Sequence, residues 1–138
     1  MQLCSLLLVF LITLFSGSST ATYTAQGKAS FYADRMQGQR TASGQRYDKT
    51  KLTAAHATLA YNTRVQVTNL RNGKTVVVTI NDRMARSRHN IIDLSRAAAK
   101  ELDIVRVGTG SVKLKALGSG EDAQQDAPLS VSEATETK

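Results

Sequence analysis

Residues 63–80 read TRVQVTNLRNGKTVVVTI and predict a β-hairpin. The first arm, Thr63–Leu70, alternates polar and apolar side chains, which is the period of a half-buried strand. The second arm, Lys74–Ile80, is β-branched at almost every position, as expected of a strand buried on both faces. Asn72-Gly73 lies between the arms and is the strongest short signal for a hairpin turn. The middle of the chain is therefore predicted to be β-structure.

Further strand candidates flank this hairpin on both sides. They are Gln26–Tyr32, Asn90–Leu94 and Gly110–Ala116. Ser95–Leu102 is rich in alanine and predicts a short helix, with Ser95 as its N-cap. Short strands with one or two short helices predict a small, mainly β domain.

The amino-terminal residues 1–21 have the pattern of a signal peptide. Leu6–Phe15 is apolar at nine of its ten positions, whereas a membrane-spanning helix needs about 20 apolar residues. Ser19-Thr20-Ala21 is a small-x-small cleavage site, so we expect export to the periplasm or the cell wall. Cys4 is the only cysteine, and it precedes the apolar run. A lipidated cysteine would follow that run, so no membrane anchor is expected.

The net charge of +7 averages three segments of different composition. Residues 1–27 carry no charged side chain, and residues 28–117 carry 17 basic and 6 acidic ones, a net charge of +11. Residues 118–138 carry one basic and five acidic side chains without periodicity, which predicts a disordered tail. The predicted domain is therefore residues 22–117. Because that domain is exported and strongly basic, an anionic wall polymer fits it better than nucleic acid.

The common signatures of metal, phosphate and serine chemistry are weak in this chain. His56 and His89 are 33 residues apart, and no Cys/His cluster has the spacing of a ligand set. No glycine-rich turn is followed by Lys-Ser/Thr, and no nucleophile elbow is found. We therefore expect neither a metal nor a cofactor.

Asp82 is the most informative candidate for chemistry. Ile80-Asn81-Asp82-Arg83 places a carboxyl where an apolar strand ends in a loop. A carboxyl at that boundary is half desolvated, and such a position suits a general acid. On these residues alone, an aspartate that caps a turn or pairs with Arg83 is the commoner case.

Eight short motifs occur in the order and spacing of the rare lipoprotein A family. They are Gly27–Tyr32, Thr41–Gly44, Tyr47-Asp48, Leu52–His56, Val67–Leu70, Asn72-Gly73, Val76–Arg83 and Ile91–Ser95. Over residues 26–117 the chain resembles these septal lytic transglycosylases, whose barrel is akin to that of expansins. The resemblance implies a small six-stranded double-psi β-barrel with one or two short helices.

The resemblance also implies an activity and a site. The family's activity is a lyase reaction: endolytic cleavage of naked, stem-peptide-free peptidoglycan strands, without water, to 1,6-anhydro-muramic ends. The family's essential acid corresponds to Asp82, a supporting catalytic carboxylate to Asp48, and an imidazole of the cleft to His56. The family's glutamate, three residues before the supporting carboxylate, is replaced by Gln45.

Gln45 decides between two open readings of function. Ordinary glycosidases need two carboxylates, whereas a lytic transglycosylase uses the sugar's own 6-hydroxyl as nucleophile. Asp82 alone can therefore suffice, with His56, Gln45, Tyr32 and Arg83 as substrate-binding residues. The alternative is a non-catalytic, expansin-like protein that binds and loosens wall glycan. A nucleic-acid-binding barrel is disfavoured by the export signal and the lack of base-stacking motifs. A monomer is expected.

Other departures from the family pattern concern the backbone and one carboxylate. Asn62 stands where the family has glycine and tolerates left-handed backbone. Ala33 and Met84 would be strained if their sites required a positive φ. Asp93 is predicted to hold a barrel turn or to pair with an arginine.

Overall fold

The computed structural model describes residues 22–119. In chain order the strands are β1 (Thr24–Phe31), β2 (Thr53–Ala55), β3 (Thr63–Asn69), β4 (Thr75–Asp82), β5 (Asn90–Leu94) and β6 (Gly110–Ser119). A 3₁₀ turn covers Asp34–Met36, and the helix α1 covers Arg96–Glu101. The predicted signal peptide and the predicted tail from residue 120 onward lie outside the described residues.

The six strands close into a barrel in the order β1-β5-β2-β4-β3-β6. The pairs β1/β5 and β2/β4 are parallel, and the other four pairs are antiparallel. The mainly β fold class is thereby confirmed, and the five strands expected from periodicity appear within a few residues of their predicted bounds. Because neighbouring strands in space come from distant parts of the chain, the barrel brings separate motifs together at its surface.

The barrel interior is filled by aliphatic side chains from every strand and from the segment after α1. The largest fully buried ones are Val65, Val67, Val78, Ile80, Ile92, Leu94, Leu102, Val112 and Leu114. Ser95 is completely buried, and its hydroxyl oxygen accepts a hydrogen bond from the Ala98 amide at 3.2 Å. The predicted N-cap is therefore present.

Two local expectations change in the structure. The β4 strand buries Val76, Val78 and Ile80, while Val77 and Thr79 are only half-buried, so one face and not two lies in the core. This is how a barrel strand sits, with one face inside and the other partly covered. β6 extends through Ser119, so residues 118 and 119 belong to the barrel and not to the tail.

Backbone strain is smaller than the replaced glycines suggested. Asn62 has φ 69°, as its left-handed role predicts. Ala33 has φ −66°, and Met84 is absent from the positive-φ residues of the described chain. The exchanges at these two positions therefore cost no backbone strain. None of the helices among residues 22–119 is long and apolar enough to cross a bilayer.

Candidate active site

Asp82 ends β4, and its carboxylate is held by three hydrogen-bond donors. Oδ2 accepts from the Tyr32 hydroxyl at 2.5 Å. Oδ1 accepts from the backbone amides of Ala42 and Arg83, both at 2.8 Å. These donors come from the end of β1, from the loop after the 3₁₀ turn, and from the residue that follows Asp82. The orientation of the carboxylate is consequently fixed by three separate segments.

This carboxylate lies in an open cleft of about 410 Å³ on the outside of the barrel. The cleft is also lined by Tyr32, Arg35, Arg83, Met84 and Asp93. The lining combines two carboxylates, two guanidinium groups and apolar surface, a composition that suits a polar polymer with an apolar ring face.

The loop before β2 carries the Ala42 amide to Asp82. Its turn is closed by the Thr41 hydroxyl, which donates to the Gln45 carbonyl at 2.6 Å. Gln45 in turn accepts a hydrogen bond from the Asn81 side chain through Oε1, at 3.3 Å. Gln45 is exposed and does not line the cleft. Its observed contact therefore attaches the loop to the strand residue next to Asp82.

Tyr32 is buried, with 7% of its surface exposed, and its ring packs edge-on against Tyr47 at 4.4 Å between centroids. Burial raises the pKa of the Tyr32 hydroxyl strongly, and the hydrogen bond to Asp82 raises it further. The hydroxyl therefore stays protonated and donates to the carboxylate.

Arg83 reaches the cleft from the residue after Asp82. Its guanidinium lies 4.2 Å from the centroid of the Tyr61 ring, and Nη1 donates to the His56 carbonyl at 3.3 Å. Stacking on an aromatic ring holds the positive charge in place without a carboxylate partner. Arg83 thus presents a fixed cation beside Asp82.

His56 is buried, and both of its ring nitrogens are engaged within the protein. Nδ1 accepts from the amides of Thr58 and Leu59 at 3.1 and 3.0 Å, so the proton resides on Nε2 and is donated to the Tyr23 hydroxyl at 3.1 Å. Burial lowers the pKa of the imidazole, and the charge of Arg83 lowers it further. The ring lies outside the lining of the Asp82 cleft. These contacts are those of a neutral histidine that orders the segment after β2.

Asp48 is also placed outside the cleft lining. Its Oδ1 accepts from the backbone amide and the hydroxyl of Thr50 at 2.9 and 2.7 Å. These bonds lower the pKa of the carboxyl. Its neighbour Tyr47 packs on Tyr32, which connects this turn to the site through the aromatic pair.

Asp93 lines the cleft, which sequence reasoning had not expected. Its carboxylate pairs with no arginine, because the two ion pairs found within residues 22–119 are Lys74–Asp103 and Arg96–Asp34. Oδ1 instead accepts from the Ser30 hydroxyl at 3.0 Å. Burial raises the pKa of Asp93 to about 6, the Ser30 bond opposes that rise, and the nearby charge of Asp82 adds to it.

The alternation of buried and less buried residues in β5 already indicated that Asp93 faces away from the core. Ile92 and Leu94 point into the core, so the residue between them must face outward, toward the cleft side of the barrel. The strand order that sets β5 beside β2, and β2 beside β4, could not be obtained from that alternation. Among residues 22–119, no three His, Cys, Asp or Glu side chains are grouped so as to hold a metal ion.

Residues 24–114 match the model of the lytic transglycolase family, which is a double-psi β-barrel domain. The chain belongs to this family. The resemblance to rare lipoprotein A, drawn above from eight short motifs, is thereby confirmed.

Curated relatives with the name RlpA are also similar to this chain. The chain is 43% identical over 106 residues to the endolytic peptidoglycan transglycosylase RlpA of Neisseria meningitidis, covering 77% of this chain and 44% of the relative. It is 50% identical over 93 residues to the protein of the same name from Pasteurella multocida, covering 67% of this chain and 32% of the relative. The chain therefore spans less than half the length of these relatives.

Solved structures share the fold at lower identity. A Streptomyces papain inhibitor superposes with a TM-score of 0.55 and 23% identity, covering 67% of this chain and 93% of the inhibitor. An expansin from Clavibacter michiganensis gives a TM-score of 0.55 and 22% identity, covering 69% of this chain and 50% of the expansin. At this identity the likeness concerns the barrel alone.

Proposed function

We propose that this protein is an endolytic lytic transglycosylase that cleaves naked peptidoglycan strands to 1,6-anhydro-muramic ends, with Asp82 as acid and base. The observation that carries the proposal is the Asp82 carboxylate, held in an open cleft by three donors, in a member of the lytic transglycolase family. The relatives' names support the reaction and the substrate.

Three hydrogen bonds leave the Asp82 carboxylate one acceptor site that can bind substrate. A carboxylate offers about four lone-pair sites on its two oxygens. Oδ1 accepts two bonds and Oδ2 accepts one, from Tyr32, so the remaining site is on Oδ2. Oδ2 is therefore the atom that exchanges a proton with the sugar.

The reaction needs no activated water. The 6-hydroxyl of the muramic residue attacks its own anomeric carbon, so a second carboxylate is not required to deliver a nucleophile. In the simplest form, Asp82 protonates the leaving oxygen and then accepts the proton of the attacking hydroxyl. Gln45, which cannot carry charge, then acts by holding the loop that brings the Ala42 amide to Asp82.

The charge of the barrel suits the proposed substrate. Muramic residues carry carboxylates, and Arg35 and Arg83 lie in the cleft lining. In the proposal these arginines and Tyr32 form the substrate side of the cleft, while His56 and Asp48 position its walls. Peptidoglycan lies in the cell envelope, so the protein is proposed to act there. Residues 1–21 are proposed to be the signal peptide that directs its export. The protein is proposed to act as a monomer on glycan strands and not on nucleic acid.

A second candidate is an expansin-like protein that binds wall glycan without cutting it. Gln45 favours this alternative, because the family's glutamate at this position is absent. The two candidates differ in their products and not in their binding.

The test is to incubate the protein with stem-peptide-free glycan strands and to analyse the products by mass spectrometry. The proposal expects anhydro-ended fragments that disappear in the Asp82→Asn variant. Binding of strands without any fragments would overturn it and establish the expansin-like alternative.

A further inference from the structure

We propose that Asp93 is the second catalytic carboxyl of this cleft: it gives its proton to the leaving glycosidic oxygen while Asp82 takes the proton of the attacking hydroxyl. The inference rests on the proposed function. In the simplest form of the proposed reaction, Asp82 carries out both proton transfers. Here Asp93 carries out the first and Asp82 the second.

The barrel register places the two carboxyls on the same face of β4 and β5, the two strands that flank β2. Asp93 is the register partner of Ala55 on β2, and Ala55 is in turn the partner of Asp82 on β4. Two strand spacings separate the aspartates, which puts their Cα atoms about 10 Å apart. Both side chains line the same cleft.

Ala55 lies between the two aspartates and fills little of that space. Its side chain is a single methyl group, and it is almost completely buried, with 1% exposed. A larger side chain here would extend into the cleft that both carboxyls line, whereas the alanine methyl packs with Tyr32 and Tyr47. Proton transfer needs a heavy-atom contact of about 2.6–3.2 Å at each carboxyl. In the proposal the leaving oxygen makes this contact with Asp93 and the attacking oxygen makes it with Asp82.

The surroundings of the two carboxyls differ in the way that an acid–base pair requires. Asp82 accepts three hydrogen bonds. Within residues 22–119, Asp93 accepts one, from the Ser30 hydroxyl, which itself accepts from the Asn90 side-chain amide at 2.7 Å. Burial, opposed by this single donor, raises the pKa of Asp93 to about 6. Asp93 therefore keeps its proton at pH values where an ordinary aspartate has lost it.

The charges that face Asp93 leave this difference in place. The titratable and charged groups around the same cleft come from β4, the end of β1, the 3₁₀ turn and the loop before β2: Asp82, Arg83, Tyr32, Arg35 and Tyr47. β2 contributes only the methyl group of Ala55. The negative charge of Asp82 favours the protonated form of Asp93, and both tyrosines are uncharged because their pKa values are raised.

The step is balanced in atoms and electrons. The bond between the anomeric carbon and the glycosidic oxygen breaks, and that oxygen receives the proton of Asp93. The 6-hydroxyl oxygen forms its bond to the anomeric carbon and releases its proton to Asp82. Asp93 is left as a carboxylate and Asp82 as an acid, and exchange with solvent restores both. Water is not consumed and no redox partner is needed.

The test compares Asp93→Asn and Asp82→Asn on two substrates. The first is a naked glycan strand, whose leaving alcohol needs a proton. The second is a glycan oligomer ending in a 4-nitrophenyl muramoside, whose leaving group departs without one. General acid catalysis contributes about 10²- to 10⁴-fold. We expect Asp93→Asn to lose at least about 100-fold on strands and to stay within about tenfold of wild type on the aryl substrate. Asp82→Asn should lose activity on both.

The pH profile supplies a second readout that a structural role would not move. On strands, wild-type kcat/KM should fall above about pH 6 as Asp93 ionises. Ser30→Ala removes the hydrogen bond that lowers the pKa of Asp93, so this falling limb should move to higher pH. A limb that stays in place in Ser30→Ala contradicts the assignment.

Failure of this inference is distinguishable from failure of the proposed function. Wild-type protein that makes no anhydro ends overturns the proposed function. If wild type is active, Asp93→Asn that cleaves strands at the wild-type rate overturns the inference alone. Equal losses on both substrates, in a variant whose thermal unfolding shows no loss of stability, overturn it as well.

Discussion

At the scale of single residues, the site depends on how donors are distributed around two aspartates. Asp82 ends a strand and receives amide and hydroxyl donors, whereas Asp93 is flanked by core residues and receives one hydroxyl. Both are aspartates in the same cleft, so the different roles proposed for them rest on the surroundings and not on residue type. The donors that belong to side chains, the hydroxyls of Tyr32 and Ser30, can be removed by mutation to test these surroundings.

Tyr32→Phe removes one donor while keeping the ring that packs on Tyr47. We expect Oδ2 of Asp82 to lose its fixed orientation, with a drop of about 10- to 100-fold in turnover. The loss of one hydrogen bond should also reduce the free energy of unfolding by about 1 kcal/mol. Glycan cleavage assays and urea unfolding measure the two effects. Tyr47→Phe is the matched control, because its hydroxyl accepts from the Arg96 amide and does not contact Asp82. Equal turnover in the two variants would contradict the assigned role of Tyr32.

Asp93→Asn should stabilise the fold at neutral pH. The folded state raises the pKa of Asp93 from 3.8 to about 6, so the wild type loses stability as the pH rises through this window. Full linkage would cost about 3 kcal/mol, and the partial solvent exposure of Asp93 reduces that to about 2 kcal/mol. The stability gained by Asp93→Asn should therefore be near zero below pH 4 and complete above pH 6. Unfolding curves at a series of pH values measure it, and a gain that does not change with pH contradicts the raised pKa.

Gln45→Glu tests the departure from the family pattern. The substitution restores a carboxylate that can still accept a hydrogen bond from the Asn81 side-chain amide. Asn81 directly precedes Asp82 in the chain. If the lost charge limits the present activity, turnover should rise in initial-rate assays on glycan strands. Unchanged turnover would mean that this position needs only a hydrogen-bond acceptor, which Gln45 already provides.

At the scale of elements, a local pattern made most of the fold predictable from the sequence. This holds for the hairpin of β3 and β4, for the helix cap, and for the strands β1, β5 and β6. The turn Asn72-Gly73, the capping hydroxyl of Ser95 and the alternation of Thr63–Leu70 act within a few residues of themselves. β2 was not predicted as a strand, since Thr53–Ala55 is too short to show a period. Yet β2 carries Ala55, which sets the distance between the two aspartates.

The left-handed residue before β3 offers a test at this scale. Asn62 has φ 69°, a conformation that costs an ordinary L-residue about 1 kcal/mol or more. Asn62→Ala should lower the free energy of unfolding by about 1 kcal/mol, while Asn62→Gly should leave it nearly unchanged. Urea unfolding of the pair measures the difference. Equal stability of the alanine and glycine variants would contradict the strained backbone.

At the scale of the whole molecule, the closed barrel determines what sequence reasoning could and could not find. Asp82 was found because it ends an apolar strand, and its place in the family supports the same assignment. Asp93 was predicted to be structural, since its proximity to Asp82 depends on the order β5-β2-β4, which no local pattern specifies. Motif position matched His56 and Asp48 to the cleft, but neither side chain lines it. Asp48 accepts from Thr50 in its own turn, and His56 bonds to the amides of the turn after it and to the Tyr23 hydroxyl.

The charge of the barrel also acts at this scale. Residues 28–117 have a net charge of +11, so binding of a polyanionic glycan should weaken as salt rises and the Debye length shortens. Naked strands with intact muramic carboxylates should lose affinity between 50 mM and 500 mM salt. Uncharged chitooligosaccharides of matched length are the control and should show little salt dependence. Equal salt dependence of the two ligands in titrations would contradict a role for the basic surface.

In the proposed reaction, strands are cut by the sugar's own hydroxyl, through Asp82, without water. Cleavage of naked strands in ¹⁸O-labelled water, followed by mass spectrometry, tests it most directly. We expect unlabelled fragments, each one water lighter than a hydrolysed end, produced by wild type and absent with Asp82→Asn. Fragments with ¹⁸O at their new reducing ends, or the same unlabelled fragments from Asp82→Asn, would contradict it.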